Sequence, residues 1–295
     1  MVQHQVPEGE TELAQWVEHQ RSTHAAWMAA VPTAPVEQVT NLTVAGRAAR
    51  LYRPSGVGRP PVLLYLHGGG WVMGDIDCYD GVARALAVAS GAAVVSLEYR
   101  RPPEHPHPAA LHDTVDAVGW LAEHGAELDV DNERIGMVGD SAGGQLAAAA
   151  ALRLATTGGP RVAVLALIYP ALDLHDQPSY PDLLTRVADL YLGDHDRGDP
   201  EVSPLLAADL SGLPPTVIAL PEHDPLRTQG ERFAARLETA GAPLTLLAGT
   251  GLQHGFLGQL GTVPEAAAFM TRIGHHVRTA LHATHQGIAP TEPNL

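Results

Sequence analysis

The stretch VGDSAGGQLAAAAA, Val138–Ala151, sets one serine between glycine-bearing flanks and then runs into an alanine-rich helical pattern. Two readings compete for Ser141. It can be an ordinary N-cap, a role serine fills at the start of many helices. It can also be a nucleophile held on a tight turn between a strand and a helix. Gly139-Asp140-Ser141-Ala142-Gly143 has the form G-x-S-x-G, with the apolar run Arg134–Val138 before it and the alanine helix after it. Such an elbow demands small flanks, because side chains at 139 or 143 would collide with the neighbouring strand and helix.

Working outward, short apolar runs alternate with helical patterns along most of the chain. Strands are expected at Pro61–Leu66, Ala92–Leu97, Arg134–Val138, Val162–Ile168, Thr216–Leu220 and Leu244–Leu247. Their nearly unbroken apolar character is that of strands buried on both faces. Helices are expected near 79–90, 108–124, 142–156, 226–240 and 265–285. The alternation predicts an α/β fold, a mostly parallel central sheet with helices on both faces. An antiparallel hairpin, Val39–Val44 and Ala48–Arg53 joined at Ala45-Gly46, leads into it. With 295 residues the chain is read as one domain, 1–295. Two segments break the rhythm: 1–37, with Trp16, Trp27 and Met28 on one or two short helices, and 174–200. They are expected to form a small helical cap over the carboxyl ends of the strands; an ordinary docking helix and a surface excursion are the alternative. The tail from Gly287 is expected to be loose.

Three further features bear on Ser141. His67-Gly68-Gly69-Gly70-Trp71 follows directly on PVLLYL, and successive glycines leave backbone N–H groups unshielded where a developing oxyanion could rest. Serine is a poor nucleophile near neutral pH and needs a base; His254, just past LTLL, is the histidine placed to reach the sheet's carboxyl edge. A third group must orient that imidazole and favour its charged form. Asp224 closes TVIALPEHD, with Glu222 and Asp173 as rivals, and the chain order serine, acid, histidine selects Asp224. The remaining histidines read as structural or solvent-facing, including His105, His107 and the pair His282-x-x-His285, which has metal-ligand spacing but no accompanying carboxylates.

Composition narrows the partners. The net charge is −15, and all 18 basic residues are arginine. So acidic a surface disfavours nucleic acid and anionic membrane. One cysteine, Cys78, excludes an intramolecular disulfide and a thiolate metal cluster. MVQHQVPEGETELAQW has neither the basic nor the apolar region of a secretory leader, so a cytoplasmic location is expected.

The ordered motifs HGGGW (67–71), GDSAGG (139–144), SPLLAADLSGLPP (203–215), HDPLR (223–227) and HGF (254–256) resemble the hormone-sensitive-lipase-like branch of the α/β-hydrolases, the bacterial carboxylesterase family, over about residues 40 to 280. The resemblance implies an α/β-hydrolase fold, a catalytic Ser141–His254–Asp224 triad and an oxyanion hole from the N–H groups of Gly69, Gly70 and Ala142. It also implies a helical cap that includes the N-terminal segment, a loop-shaping role for His67, and no cofactor and no metal. The chain departs from the family pattern at Arg101-Pro102, where Leu-Ala is usual, and at Thr228-Gln229, where Asp-Glu is common. The expected activity is a serine carboxylesterase acting on small to medium acyl esters, with Trp16, Trp27 and Trp71 near the site. Amidase, deacetylase and lactonase chemistry stay open, as does a non-catalytic ligand receptor on the same scaffold. Homodimerisation through the last strand and helix, where some relatives pair, stays open as well.

Overall fold

In the strand Pro61–Leu66, Val62, Leu64 and Leu66 enter one apolar cluster while Leu63 and Tyr65 enter another on the opposite face. That is the two-residue alternation of a strand covered on both sides. The computed structural model describes residues 9–176 and 182–283, so the tail from Gly287 and the N-terminal eight residues lie outside the described residues. Its strands are β1 (Gln38–Val44), β2 (Arg47–Arg53), β3 (Pro61–Leu66), β4 (Ala93–Leu97), β5 (Asp131–Asp140), β6 (Val164–Ile168), β7 (Thr216–His223) and β8 (Leu244–Gln253). They form one sheet in the order β1-β2-β4-β3-β5-β6-β7-β8, parallel except for the β1/β2 and β2/β4 pairs.

The helices are α1 (Glu10–Met28), α2 (Asp80–Ser90), α3 (Ala109–His124), α4 (Ala142–Thr157), α5 (Asp182–Leu192), α6 (Arg227–Thr239) and α7 (Pro264–Ala283). Leu111 and Leu121 of α3, Leu146 of α4 and Phe233 of α6 share the cluster on one face of the sheet. Val82 and Leu86 of α2 with Phe269 and Ile273 of α7 fill the other. Ala147 to Ala151 are at most 2% exposed. The alanine run combines the highest helix propensity with the smallest buried side chain, so α4 lies close against the sheet and α3.

β3 neighbours β4 on one side and β5 on the other. The chain passes from β3 to β4, then crosses back through α3 to β5, and the crevice at that reversal is where open α/β sheets take their ligands. Both the glycine loop after β3 and the serine turn after β5 open into it.

Several strand boundaries differ from the sequence expectation: β5 spans Asp131–Asp140 instead of Arg134–Val138, and β7 reaches His223 instead of Leu220. β8 continues beyond Leu247 to Gln253, because Leu220 pairs with Ala248, Pro221 with Gly249 and His223 with Gln253; this part is small and polar, and its pairing partner rather than an apolar run defines it. Of the one or two short helices expected before residue 38, the described residues form one, the 19-residue α1, which carries Trp16, Trp27 and Met28 together. α1 and α5 both leave the sheet. Val17 of α1 and Val187 of α5 meet Val72 and Met73, just after the glycine loop, in a separate apolar cluster. Among the described residues no helix is long and apolar enough to cross a membrane.

Candidate active site

Ser141 sits between β5 and α4 at φ 52° and ψ −115°. A non-glycine residue there is strained by about 1–3 kcal/mol, and the surroundings over-determine it. Its N–H donates to the Ile168 carbonyl at 2.9 Å. A Cβ at Gly139 would overlap the Gly143 carbonyl, and one at Gly143 would overlap the Leu66 carbonyl at the end of β3. Both glycines are therefore required by backbone packed on backbone. The N-cap reading fails on a direct observation, since the Ser141 side chain makes no cap hydrogen bond to α4. Its Oγ lies 3.0 Å from His254 Nε2.

The register of β7 and β8 explains how the imidazole arrives. His223 pairs with Gln253 at the ends of β7 and β8, so Asp224 and His254 directly follow two adjacent parallel strands. His254 Nδ1 stands 3.0 Å from Asp224 Oδ1, and the Asp224 side chain is fully buried. That oxygen also accepts the Leu226 N–H at 2.7 Å, while Oδ2 has no hydrogen-bond partner among the described residues. With the Nδ1 proton donated to Asp224, Nε2 is left as the acceptor facing Ser141. The rivals are engaged elsewhere. Glu222 accepts the Gly251 N–H at 2.8 Å, and buried Asp173 accepts the N–H groups of His175 and Asp176 and pairs with Arg232.

The glycine loop is fastened to the elbow by a residue the sequence reading passed over. Asp140 is buried beside Ser141, and its Oδ1 accepts the Gly68 N–H at 2.9 Å and the Tyr65 hydroxyl at 2.7 Å; its Oδ2 accepts the Tyr169 hydroxyl at 3.2 Å. Burial pushes its carboxyl up to about 6 despite these donors. The only signal for it in the sequence is its place at the variable position of the elbow. Gly69 and Gly70 line the same cavity as Ser141, and a hydrogen bond from Met73 N–H to the Gly69 carbonyl at 2.8 Å closes their turn. Ala142 opens α4, so its N–H has no carbonyl within the helix. His67 is fully buried and stacks on Tyr99 at 4.3 Å, and burial pushes its imidazole down to about 3. It packs under the loop as a neutral ring.

A cavity of ≈ 180 Å³ opens above Ser141 and His254. Leu183, Leu184 and Val187 of α5 line one part of it, and His24, Trp27 and Met28 of α1 another. Of the three tryptophans expected nearby, only Trp27 lines the cavity. Trp71 is fully buried, donates to Gln145 Oε1 at 2.9 Å and stacks on Tyr191, while Trp16 packs into the cluster between α1 and α5. The Trp27 ring rests on the loop after His254, where Gly258 leaves room that a Cβ would fill. His24 and Tyr79 were not singled out in the sequence; only the position of α1 over the crevice reveals them.

The departures from the family pattern are structural ties. Arg101 donates to the Gly74 carbonyl and to Glu98 Oε1, and Glu98 Oε2 accepts the Ile76 N–H at 2.9 Å, so the segment leaving the glycine loop is clamped. The Pro102 carbonyl accepts from Arg21 of α1 at 3.1 Å. Gln229 Oε1 accepts the N–H groups of Leu172 and Asp173, holding the chain after β6.

Comparison with known proteins agrees with this architecture. A family model for the alpha/beta hydrolase fold matches residues 63–258. Esterase LipI of Mycobacterium tuberculosis is 39% identical over 273 residues, covering 85% of this chain and 85% of that protein. Carboxylesterase NlhH of the same species is 41% identical over 239 residues, 76% of this chain and 75% of its own. A hyperthermophilic esterase from the archaeon Pyrobaculum calidifontis superposes with a TM-score of 0.84 at 35% identity, over 90% of each chain.

Proposed function

This chain belongs to the hormone-sensitive-lipase-like carboxylesterases of the α/β-hydrolase fold, and from that premise we propose that it hydrolyses small to medium acyl esters through an acyl-enzyme on Ser141. The observation that carries the reading is the position of His254, 3.0 Å from Ser141 Oγ on one side and 3.0 Å from Asp224 Oδ1 on the other. Ser141 Oγ attacks the ester carbonyl as His254 Nε2 takes its proton. The oxyanion forms against the N–H groups of Gly69, Gly70 and Ala142, donors fixed in place before charge develops. His254 then protonates the leaving alcohol. In the second half it removes a proton from water, which attacks the acyl carbonyl and releases the acid and Ser141.

α1 and α5 serve as the cap in this proposal, and the ≈ 180 Å³ between them and the sheet favours short acyl groups over long chains. The outer edge of β8, with Leu246 half exposed, is the surface on which a homodimer would form; a sedimentation mass of two chains is the supporting result.

The experiment is covalent labelling with a fluorophosphonate together with kcat/KM on matched p-nitrophenyl esters, anilides and lactones. Labelling at Ser141 and a preference for esters are expected, and Ser141→Ala should abolish the label and lower kcat by about 10⁴-fold or more. Turnover confined to amides or lactones overturns the ester preference, and an unlabelled Ser141 overturns the nucleophile.

A further inference from the structure

Among the described residues, outside the proposed triad, the elbow and the Tyr169 that supports it, the polar side chains on the cavity wall are Trp27 and the pair His24 and Tyr79. Trp27 turns its benzenoid edge toward Gly255 and Gly258. His24 lies near the end of α1 and Tyr79 just before α2, and His24 Nε2 is 3.2 Å from the Tyr79 hydroxyl. Burial pushes the His24 imidazole down to about 4, against the attraction of Asp75, so the ring is neutral at pH 7. Tyr79 is 2% exposed and burial raises its hydroxyl well above the ordinary range, so it keeps its proton.

Counting hydrogens decides what this pair offers. A neutral imidazole brings one N–H and a phenol brings one O–H. The single contact between them uses one of the two. If Tyr79 donates to Nε2, the Nδ1–H of His24 is left over; if Nε2–H donates to Tyr79, the tyrosine hydrogen is left over. Neither side chain has another hydrogen-bond partner among the described residues. In both tautomers the pair holds one unspent donor, on the wall of a cavity that Met28, Met73 and Leu257 also line. A donor left unpaired in such surroundings costs free energy that a matching acceptor on a ligand would recover.

We propose that His24 and Tyr79 form a specificity-determining donor for a second oxygen of the substrate, so that the preferred esters carry a neutral alkoxy, keto, hydroxyl or second ester oxygen near the scissile carbonyl. The inference rests on the esterase reading and deepens it. The acceptor is uncharged, because among the described residues no arginine lines the cavity and the Asp140 carboxylate does; an anionic group would meet repulsion with no cation among them to offset it. The small volume keeps the second oxygen within a few bonds of the first. Sites built to pair a polar group discriminate against the analogue that lacks it more strongly than apolar pockets discriminate by size.

The test uses two pairs of esters that differ by oxygen for methylene: p-nitrophenyl methoxyacetate against p-nitrophenyl butanoate for the acyl side, and 2-methoxyethyl acetate against n-butyl acetate for the alcohol side. kcat/KM is measured for the wild type, Tyr79→Phe, His24→Leu and the double variant. In one pair, the double variant should lower the ether ester about tenfold more than its alkyl twin, because it removes the donor in both tautomers, while each single variant keeps one hydrogen on the wall and should lose less of that preference. Equal losses on both members of both pairs overturn the inference and leave the esterase reading standing. A wild type that turns over none of the four esters removes the esterase reading, and this inference with it.

Discussion

The floor of the cavity and its roof are held by different means. The floor consists of the turns after β3, β5, β7 and β8, fixed by backbone against backbone: Gly143 against the Leu66 carbonyl, Ser141 N–H on the Ile168 carbonyl, and the β7/β8 register that brings Asp224 beside His254. The roof, α1 and α5, is held by side chains: the cluster of Val17, Val187 and Met73, the Trp27 ring, and the half-exposed Arg21–Glu104 pair. Close-packed backbone has few alternative arrangements, whereas side-chain ties of this kind open at lower free energy. Floor substitutions should therefore change kcat, and roof substitutions should change KM and selectivity.

The most severe challenge to that division is Asp224→Asn. The amide removes the charge that favours the imidazolium, and its NH2 turned to Nδ1 leaves His254 in the wrong tautomer, a change that costs about 10⁴-fold in kcat in the serine-protease triad. A similar loss is expected here with KM little changed. A fall below about tenfold would show that the buried carboxylate is not the orienting group and would return Glu222 to consideration.

Gly143→Ala probes the floor through geometry alone. The new Cβ overlaps the Leu66 carbonyl, directly before the glycine loop, so β3 and α4 must separate and the proposed oxyanion donors move off target. Losing one such donor costs about 10²–10³ in rate, and a fall of that size in kcat is expected, with a lower Tm. Normal kcat would mean that the loop and the elbow are not set by this contact.

Asp140→Asn tests whether the clasp between loop and elbow needs a charge. Gly68 and Tyr65 can still donate to an amide oxygen, but Tyr169, whose ring lies 4.8 Å from His254, loses its acceptor. A fall in kcat of about tenfold is expected, smaller than for loss of a whole oxyanion donor. Stability should respond with a definite sign. Burial raises the Asp140 carboxyl to about 6, above its ordinary 3.8. Its contribution is therefore fully present below the ordinary value and is lost as pH rises through about 6, by on the order of 3 kcal/mol. Relative to the wild type, the variant should gain in Tm between pH 4 and pH 7. A constant Tm difference across that range would contradict the buried-charge account.

The floor was legible in the sequence because its constraints are local. An elbow needs glycine at 139 and 143, a glycine run follows a strand, and Asp224 and His254 each end one; short-range sterics place these residues wherever the sheet forms. The roof was legible only as a break in the alternation between 174 and 200 and before residue 38. Which face of α1 meets the crevice depends on Arg21 reaching the Val72 carbonyl at 3.0 Å and Trp27 reaching the loop at Gly258, contacts 51 positions or more apart in sequence. Asp140 stayed hidden for another reason: the residue type is unremarked at a variable position, and only burial with three donors reveals its work.

Arg21→Met gives the smallest expected effect and separates floor from roof most cleanly. Arg21 ties α1 to both loops, donating through Nε to the Val72 carbonyl and through Nη1 and Nη2 to Glu104 at 2.8 Å each. The pair holds the Glu104 carboxyl down to about 2, yet its side chains are 24% and 52% exposed, and a pair so open to solvent is worth about 1 kcal/mol or less. Methionine keeps the apolar stem and removes the fork. The expected result is a KM rise of about threefold with kcat within about twofold, since α1 would sit less often over the acyl pocket while the floor stays in place. Salt supplies an independent check: screening in 1 M NaCl should raise the wild-type KM toward that of the variant and leave the variant nearly unmoved. A tenfold fall in kcat at constant KM would mean that α1 positions the reacting groups themselves, and the boundary between roof and floor would have to be drawn beyond Val72.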